Sequence, residues 1–370
     1  MRWMLAALTL AGCAEMDGPR RVWSTLDGKP PLVIAHRGAS GDRPEHTLEA
    51  YALAIDMGAD VIEPDLVFTK DGVPVARHDR YLSTTTDISD HPEFAGRRRA
   101  NDDAADIENR GRADWWAEDF TLAELKTLRA RQPFPGRSKE FDGLYEIPAF
   151  DEILALVASK AKKAGRPIGV YPETKHPGFY LHKGYDFEEP LLTALERFDA
   201  GPVFIQSFEP EILKRLKGKT NAKLVQLVYE KDPGAGSNIA LEEIAKYADG
   251  VGAAKGLVLP GSAGREDFLE RSHRLGLFVH PWTFRTDQPN EKIGLLVKMV
   301  VSAAGKEPSD SADDAAATRA ARILTRGLSD AAYAEAELQA FLEAGADGVF
   351  TDFPDAAVAV RAKMHAERRE

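Results

Sequence analysis

The run VIAHRGASGDRPEHTLEAYALAIDMGADVIEPDLVFTKDGVPVARHD, residues 33–79, decides the fold. It follows Leu32 as an apolar strand that delivers His36 and Arg37 to its C-terminal end. The segment 46–58, HTLEAYALAIDMG, has helical apolar spacing and ends on glycine, and a second apolar run, ADVIEPDL, follows at 59–66. Such a strand–helix–strand unit predicts two parallel strands joined by a crossover. Glu63 and Asp65 are two residues apart, so a strand points both to the same face. The next run turns at Asp71-Gly72 and leaves no room for a crossover. Residues 73–78 are therefore predicted as an antiparallel hairpin arm that carries His78 over the strand ends.

Further apolar runs recur with amphipathic segments between them, at 167–173, 202–208, 222–229, 248–252, 276–282 and 347–353. With the first two they make eight, and near-continuous apolar strands alternating with helices predict an α/β (β/α)8 TIM barrel. The segment 149–165 reads as one of its helices. Two stretches interrupt the pattern and are expected as insertions on the loop side. Residues 80–145 are rich in Asp, Arg, Pro and Gly, with TLAELKTLRA (121–130) as their one firm helix. Residues 301–333 are rich in Ala, Asp and Ser, with a helix expected from Asp313.

The chain has 370 residues, a formal net charge of −11 and 44% hydrophobic residues, enough for a sizeable core. Its acidity argues against nucleic acid as a partner, because that affinity rests largely on phosphate neutralisation. The single cysteine, Cys13, ends the run MRWMLAALTLAGC. Residues 1–12 are too short for a transmembrane helix and resemble a lipoprotein-type signal. The expectation is export to the periplasm or cell envelope, lipid attachment through Cys13, a tether over 13–29 and a barrel domain over 30–365.

Polar groups at the ends of apolar strands are costly unless paired, metal-bound or catalytic. Glu63, Asp65 and Glu173 would repel one another if they converged, and a hard divalent cation relieves that repulsion. A salt-bridge cluster is the alternative for this group. His36 and His78 offer acid and base functions near neutral pH, with Asp79 available to orient an imidazole. Arg37 and Lys175 are suited to grip an anionic oxygen. These parts fit transfer at a phosphodiester, without fixing which histidine gives and which takes a proton.

On the stretches 35–50, 58–79, 169–179, 203–208, 224–229, 278–285 and 348–358, the sequence resembles the glycerophosphodiester phosphodiesterases, particularly the exported bacterial type. The resemblance implies a (β/α)8 barrel hydrolysing glycerophosphodiesters to an alcohol and sn-glycerol 3-phosphate with a divalent cation. Ca²⁺ is preferred and Mg²⁺ is the alternative. It implies His36 and His78 as the catalytic pair, Glu63, Asp65 and Glu173 as metal ligands, and Arg37 and Lys175 at the substrate phosphate. It also implies first attack by the substrate's own glycerol hydroxyl, through a cyclic phosphate that water opens.

Gln206 is expected to hydrogen-bond glycerol or the catalytic apparatus, and Trp282 to wall the pocket for glycerol carbons. Phe208 should face the mouth. His46 and Glu45 are read as architecture of the first loop, and His280 as structural. Asp352 either stands behind the site or caps the following helix, and His176 is expected to pack beside Pro177, lining the site being the alternative. Trp115-Trp116 should pack the first insertion onto the barrel, a membrane-facing or substrate-facing aromatic patch being the alternative. Two other readings are a phospholipase C- or D-like enzyme on intact lipids and an inactive lipid-anchored binding protein. The second requires broken site positions, and none is broken.

Overall fold

The computed structural model describes residues 23–101, 103, 106, 109–231, 236–258, 268–287 and 330–368. The signal expected over 1–12, Cys13 and nearly all of the second insertion, including the helix expected from Asp313, lie outside the described residues. Among the described residues, no helix is long and apolar enough to cross a membrane.

Thirteen strands are described in chain order. They are β1 (Leu32–His36), β2 (Val61–Glu63), β3 (Asp65–Phe68), β4 (Pro74–Ala76), β5 (Arg99–Ala100), β6 (Ala113–Asp114) and β7 (Gly169–Val170). The others are β8 (Glu173–Thr174), β9 (Phe204–Ser207), β10 (Lys223–Val228), β11 (Gly250–Ala254), β12 (Phe278–Trp282) and β13 (Gly348–Thr351). β1 lies parallel between β13 and β2, and β2 pairs with β7. β8 lies between β3 and β9, and β10, β11 and β12 follow in parallel order. The ring closes where Asp347 N donates to Val279 O at 2.9 Å and Phe284 N donates to Phe350 O at 2.8 Å. The result is the (β/α)8 TIM barrel expected from the strand–helix alternation.

Two barrel strands are each split by a proline. Pro64 separates β2 from β3 and Pro172 separates β7 from β8, because proline has no N–H for the ladder. Their carbonyls still accept, from Glu173 N at 2.9 Å and Gln206 N at 3.0 Å, so the ring continues past each break. β4 returns antiparallel on β3 in the register Leu66↔Ala76, Val67↔Val75 and Phe68↔Pro74, as the Asp71-Gly72 turn requires.

The barrel interior is packed by Ile34, Val61, Tyr171, Phe204, Val225 and Phe350. A larger apolar layer lies between strands and helices. Helix Phe150–Ala164 buries Phe150, Ile153, Leu154, Val157 and Ala161 at helical spacing, and Gly165 stops it with φ +64°. Helix Leu48–Asp56 starts at Thr47, whose hydroxyl accepts from Ala50 N.

Several expectations change here. Residues 23–29 of the expected tether fold onto the barrel: Trp23 is buried, stacked with His365 and under the Arg368 guanidinium. The helix expected over 121–130 is reduced to Leu122–Leu125, opened by a Thr121/Glu124 capping box. Beyond it the backbone is drawn into pairing with the start of the insertion, through Asp87 N to Arg129 O and Arg131 N to Thr85 O. The first insertion has its own buried centre in Trp116 and Arg80. The Arg80 guanidinium pairs with Asp106 and Glu118 and lies 3.4 Å from the Phe179 ring centroid.

Candidate active site

The strand ends on one face of the barrel surround a cavity of about 510 Å³. Of the nine residues expected at the site, eight line it: His36, Arg37, Glu63, His78, Glu173, Lys175, Gln206 and Trp282. The ninth, Asp65, is 1% exposed and sits beneath them.

Glu63, Asp65 and Glu173 each offer a carboxylate oxygen within 4.8 Å of the others. Burial, with the neighbouring Asp65 and Glu173 charges, pushes the Glu63 carboxyl well up. Burial likewise pushes Glu173 up to about 8, although Lys175 pulls against it. Asp65 goes the other way: Lys175, the His46 hydrogen bond and Arg37 outweigh burial and hold it well below the usual carboxylate range. Lys175 Nζ lies 2.9 Å from Glu173 Oε1, and Gln206 Nε2 donates to Glu63 Oε1 at 2.9 Å. Gln206 Oε1 is buried and has no hydrogen-bond partner. An acid trio plus an orphaned amide oxygen is the hard-oxygen donor set that a divalent cation takes.

The sequence places His46 and Glu45 in the first loop; the structure gives both specific tasks. His46 Nε2 bonds Asp65 Oδ2 at 2.9 Å, and its Nδ1 bonds the Tyr51 hydroxyl at 2.8 Å. Glu45 receives Arg37 Nη1 at 3.1 and 3.2 Å, while Arg37 Nε lies 3.2 Å from Asp65. Gly38 permits the turn after Arg37: its φ is +85°, and a Cβ there would stand 2.7 Å from the Ala50 carbonyl carbon.

Both histidines are backed by a carboxylate. His36 Nδ1 is 2.7 Å from Asp352 Oδ1, and His78 Nδ1 is 2.8 Å from Asp79 Oδ1. Each ring is left with Nε2 for the cavity. Burial and the Arg37 charge lower both imidazoles to about 4 against the pull of their carboxylates, so both are neutral near pH 7. Asp352 therefore stands behind the site; the helix that follows it has no side-chain cap. His280 is structural, as expected, within the interior aromatic cluster and 3.2 Å from the Tyr171 hydroxyl. His176 lines a second, adjoining cavity of about 420 Å³ with His78, Asp79, Pro177, Glu209 and Tyr229, so it stands beside Pro177 and also faces open space.

The glycerophosphoryl diester phosphodiesterase family matches residues 36–356, most of the chain and all of this site. The chain belongs to that family. A glycerophosphodiester phosphodiesterase of Arabidopsis thaliana is 32% identical over 321 residues, covering 77% of this chain and 84% of that one. One of Haemophilus influenzae is 31% identical, covering 77% and 86%. The phosphodiesterase barrel is also the fold of an Oleispira antarctica phosphodiesterase solved with the product sn-glycerol 3-phosphate. That likeness has a TM-score of 0.56 at 19% identity and covers 91% of this chain and 98% of that one.

Two site features were not legible in the sequence of this phosphodiesterase. Arg137 comes from the first insertion, and Arg285 from the segment after β12; both reach Asp352 Oδ2, at 2.6 and 3.0 Å. No local spacing signals either contact. The resembling stretches 278–285 and 348–358 contain Arg285 and Asp352, but nothing in either stretch shows that the two meet.

Proposed function

We propose that this chain hydrolyses glycerophosphodiesters to an alcohol and sn-glycerol 3-phosphate, using a divalent cation held by Glu63, Asp65 and Glu173. The observation that carries the reading is the convergence of two carboxylate-backed histidines on a buried acid trio in one cavity. When bound, the cation would offset negative charge developing on the phosphoryl oxygens. We favour Ca²⁺ with Mg²⁺ as the alternative, since the same hard oxygens serve either ion.

The chain's own residues do the rest. Arg37 Nη2 makes no protein hydrogen bond among the described residues, and with Lys175 it binds the phosphate. The glycerol 2-hydroxyl attacks phosphorus while one neutral imidazole takes its proton at Nε2. The other imidazole, whose proton affinity the bound phosphate anion raises, takes a proton from solvent and gives it to the leaving alcohol. Water then opens the cyclic phosphate, with the histidines exchanging roles. Trp282 and Phe208, 5.8 Å apart edge to face, wall the glycerol carbons. His78 alone of the pair also lines the second cavity, which gives the alcohol a route out.

The test is release of sn-glycerol 3-phosphate from glycerophosphocholine, glycerophosphoethanolamine and glycerophosphoglycerol. Activity should collapse with chelator and return with Ca²⁺ or Mg²⁺. Turnover unaffected by chelation would overturn the ligand set, and equal turnover of diesters lacking the neighbouring hydroxyl would overturn the cyclic route. Export with lipid attachment at Cys13 is proposed on the sequence of residues 1–13 alone. Cys13→Ser should abolish labelling by radioactive palmitate in an exporting bacterial host.

A further inference from the structure

Asp352 divides its two oxygens. Oδ1 faces His36 Nδ1 at 2.7 Å, while Oδ2 receives Arg137 Nη2 at 2.6 Å and Arg285 Nε at 3.0 Å. Arg285 lines the main cavity and is placed to meet substrate. Arg137 does not line it, and its side chain is 2% exposed. It is held by Asp287 Oδ2 on Nε at 2.7 Å and by Ser40 O on Nη1 at 3.1 Å. A guanidinium buried this far is sustained only by such partners. Gln132, from the same insertion, donates to Ser40 O at 2.9 Å, and Ser40 Oγ donates to His36 O at 2.8 Å. The insertion thus reaches His36 from behind, through the His36 backbone carbonyl and through the Asp352 carboxylate on its ring.

We propose that Arg137, delivered by the first insertion, is a positioning residue for the hydrolysis, locking Asp352 so that His36 presents Nε2 to the substrate. With Oδ2 pinned by two guanidiniums, Oδ1 is the oxygen left to accept from Nδ1–H. That bond fixes the His36 tautomer and ring plane. Arg285 alone leaves the carboxylate free to turn toward the cavity, where the substrate phosphate competes for the same guanidinium. The inference rests on His36 being one of the proton-transfer pair.

The experiment is a double-mutant cycle on the cation-loaded enzyme. Arg137→Gln should lower kcat roughly 10- to 100-fold with KM within about threefold, the signature of an interaction needed for the transition state. In an Asp352→Asn background the same change should cost less than about threefold, since its target is already gone. An equal loss in both backgrounds, or an effect confined to KM, would overturn the proposal in favour of a role through Ser40 or Asp287. Should Asp352→Asn fail to fold, the downfield Nδ1–H proton resonance of His36 decides. It should shift or broaden in Arg137→Gln, and an unmoved resonance there overturns the proposal. His36→Asn separates the two levels: wild-type turnover there sinks the proton-transfer reading itself, whereas an inactive His36→Asn together with a wild-type kcat in Arg137→Gln sinks only this inference.

Discussion

Asp352 Oδ1 lies 2.7 Å from His36 Nδ1, joining the end of the last barrel strand to the end of the first across 316 residues of sequence. Replacing Asp352 by Asn allows the opposite tautomer, in which Nδ1 accepts and Nε2 carries the proton. Asp352→Asn should lower kcat by roughly 10²–10⁴-fold, the range for losing one proton-transfer group. Steady-state kinetics below the melting temperature checks this, and an unchanged kcat refutes the orienting role.

His46 grips Asp65 Oδ2 and is itself held by Tyr51. Partners that orient a metal ligand typically carry about 10–100-fold in affinity. His46→Ala should weaken Ca²⁺ binding by that factor, read by titration calorimetry, and undiminished affinity would show that Asp65 needs no such support.

Gly38 combines φ +85° with a backbone wall 2.7 Å from where a Cβ would stand. That wall is the Ala50 carbonyl carbon and cannot swing aside like a flexible side chain. Gly38→Ala should destabilise the fold by about 2 kcal/mol or more, the backbone strain and the clash acting together. Urea denaturation measures it, and a midpoint equal to wild type contradicts the geometry.

Burial lowers the His280 imidazole from 6.5 to about 4. The unfolded chain then binds more protons than the folded one between those values, so stability falls as pH drops from 6.5 toward 4. For one fully buried histidine that amounts to about 3 kcal/mol at about 1.4 kcal/mol per pH unit. His280→Phe should therefore have a shallower loss of stability than wild type across this window. Parallel curves from urea unfolding at pH 7, 6 and 5 would sink the prediction.

Much of the site was readable because its signals are local. The two-residue spacing of Glu63 and Asp65 places both in one cluster even though Pro64 breaks the strand between them. The Asp71-Gly72 turn admits only a hairpin, which carries β4 to Ala76 and sets His78 over the mouth. The 121–130 helix was misjudged because periodicity does not see the competing bonds of Thr85 and Asp87. The surroundings of His176 were likewise beyond local pattern. Its left-handed backbone, φ +48°, starts the helix Pro177–His182 at a corner and sets the imidazole on the second cavity.

The opening run 33–79 by itself determined the parallel strand–helix–strand unit, the hairpin, and the residue types that converge at the strand ends. Apolar period and turn chemistry act over a few residues, and a few residues suffice to read them. Only the closed barrel decided which distant groups meet. It brings Glu173 to Asp65, Asp352 to His36, and the insertion's Arg137 to Asp352, because contacts between strand ends depend on register around the whole ring. It also decided protonation. Burial and neighbouring charges hold both histidines neutral and raise Glu63 and Glu173 but lower Asp65, and none of those environments exists until the chain has folded.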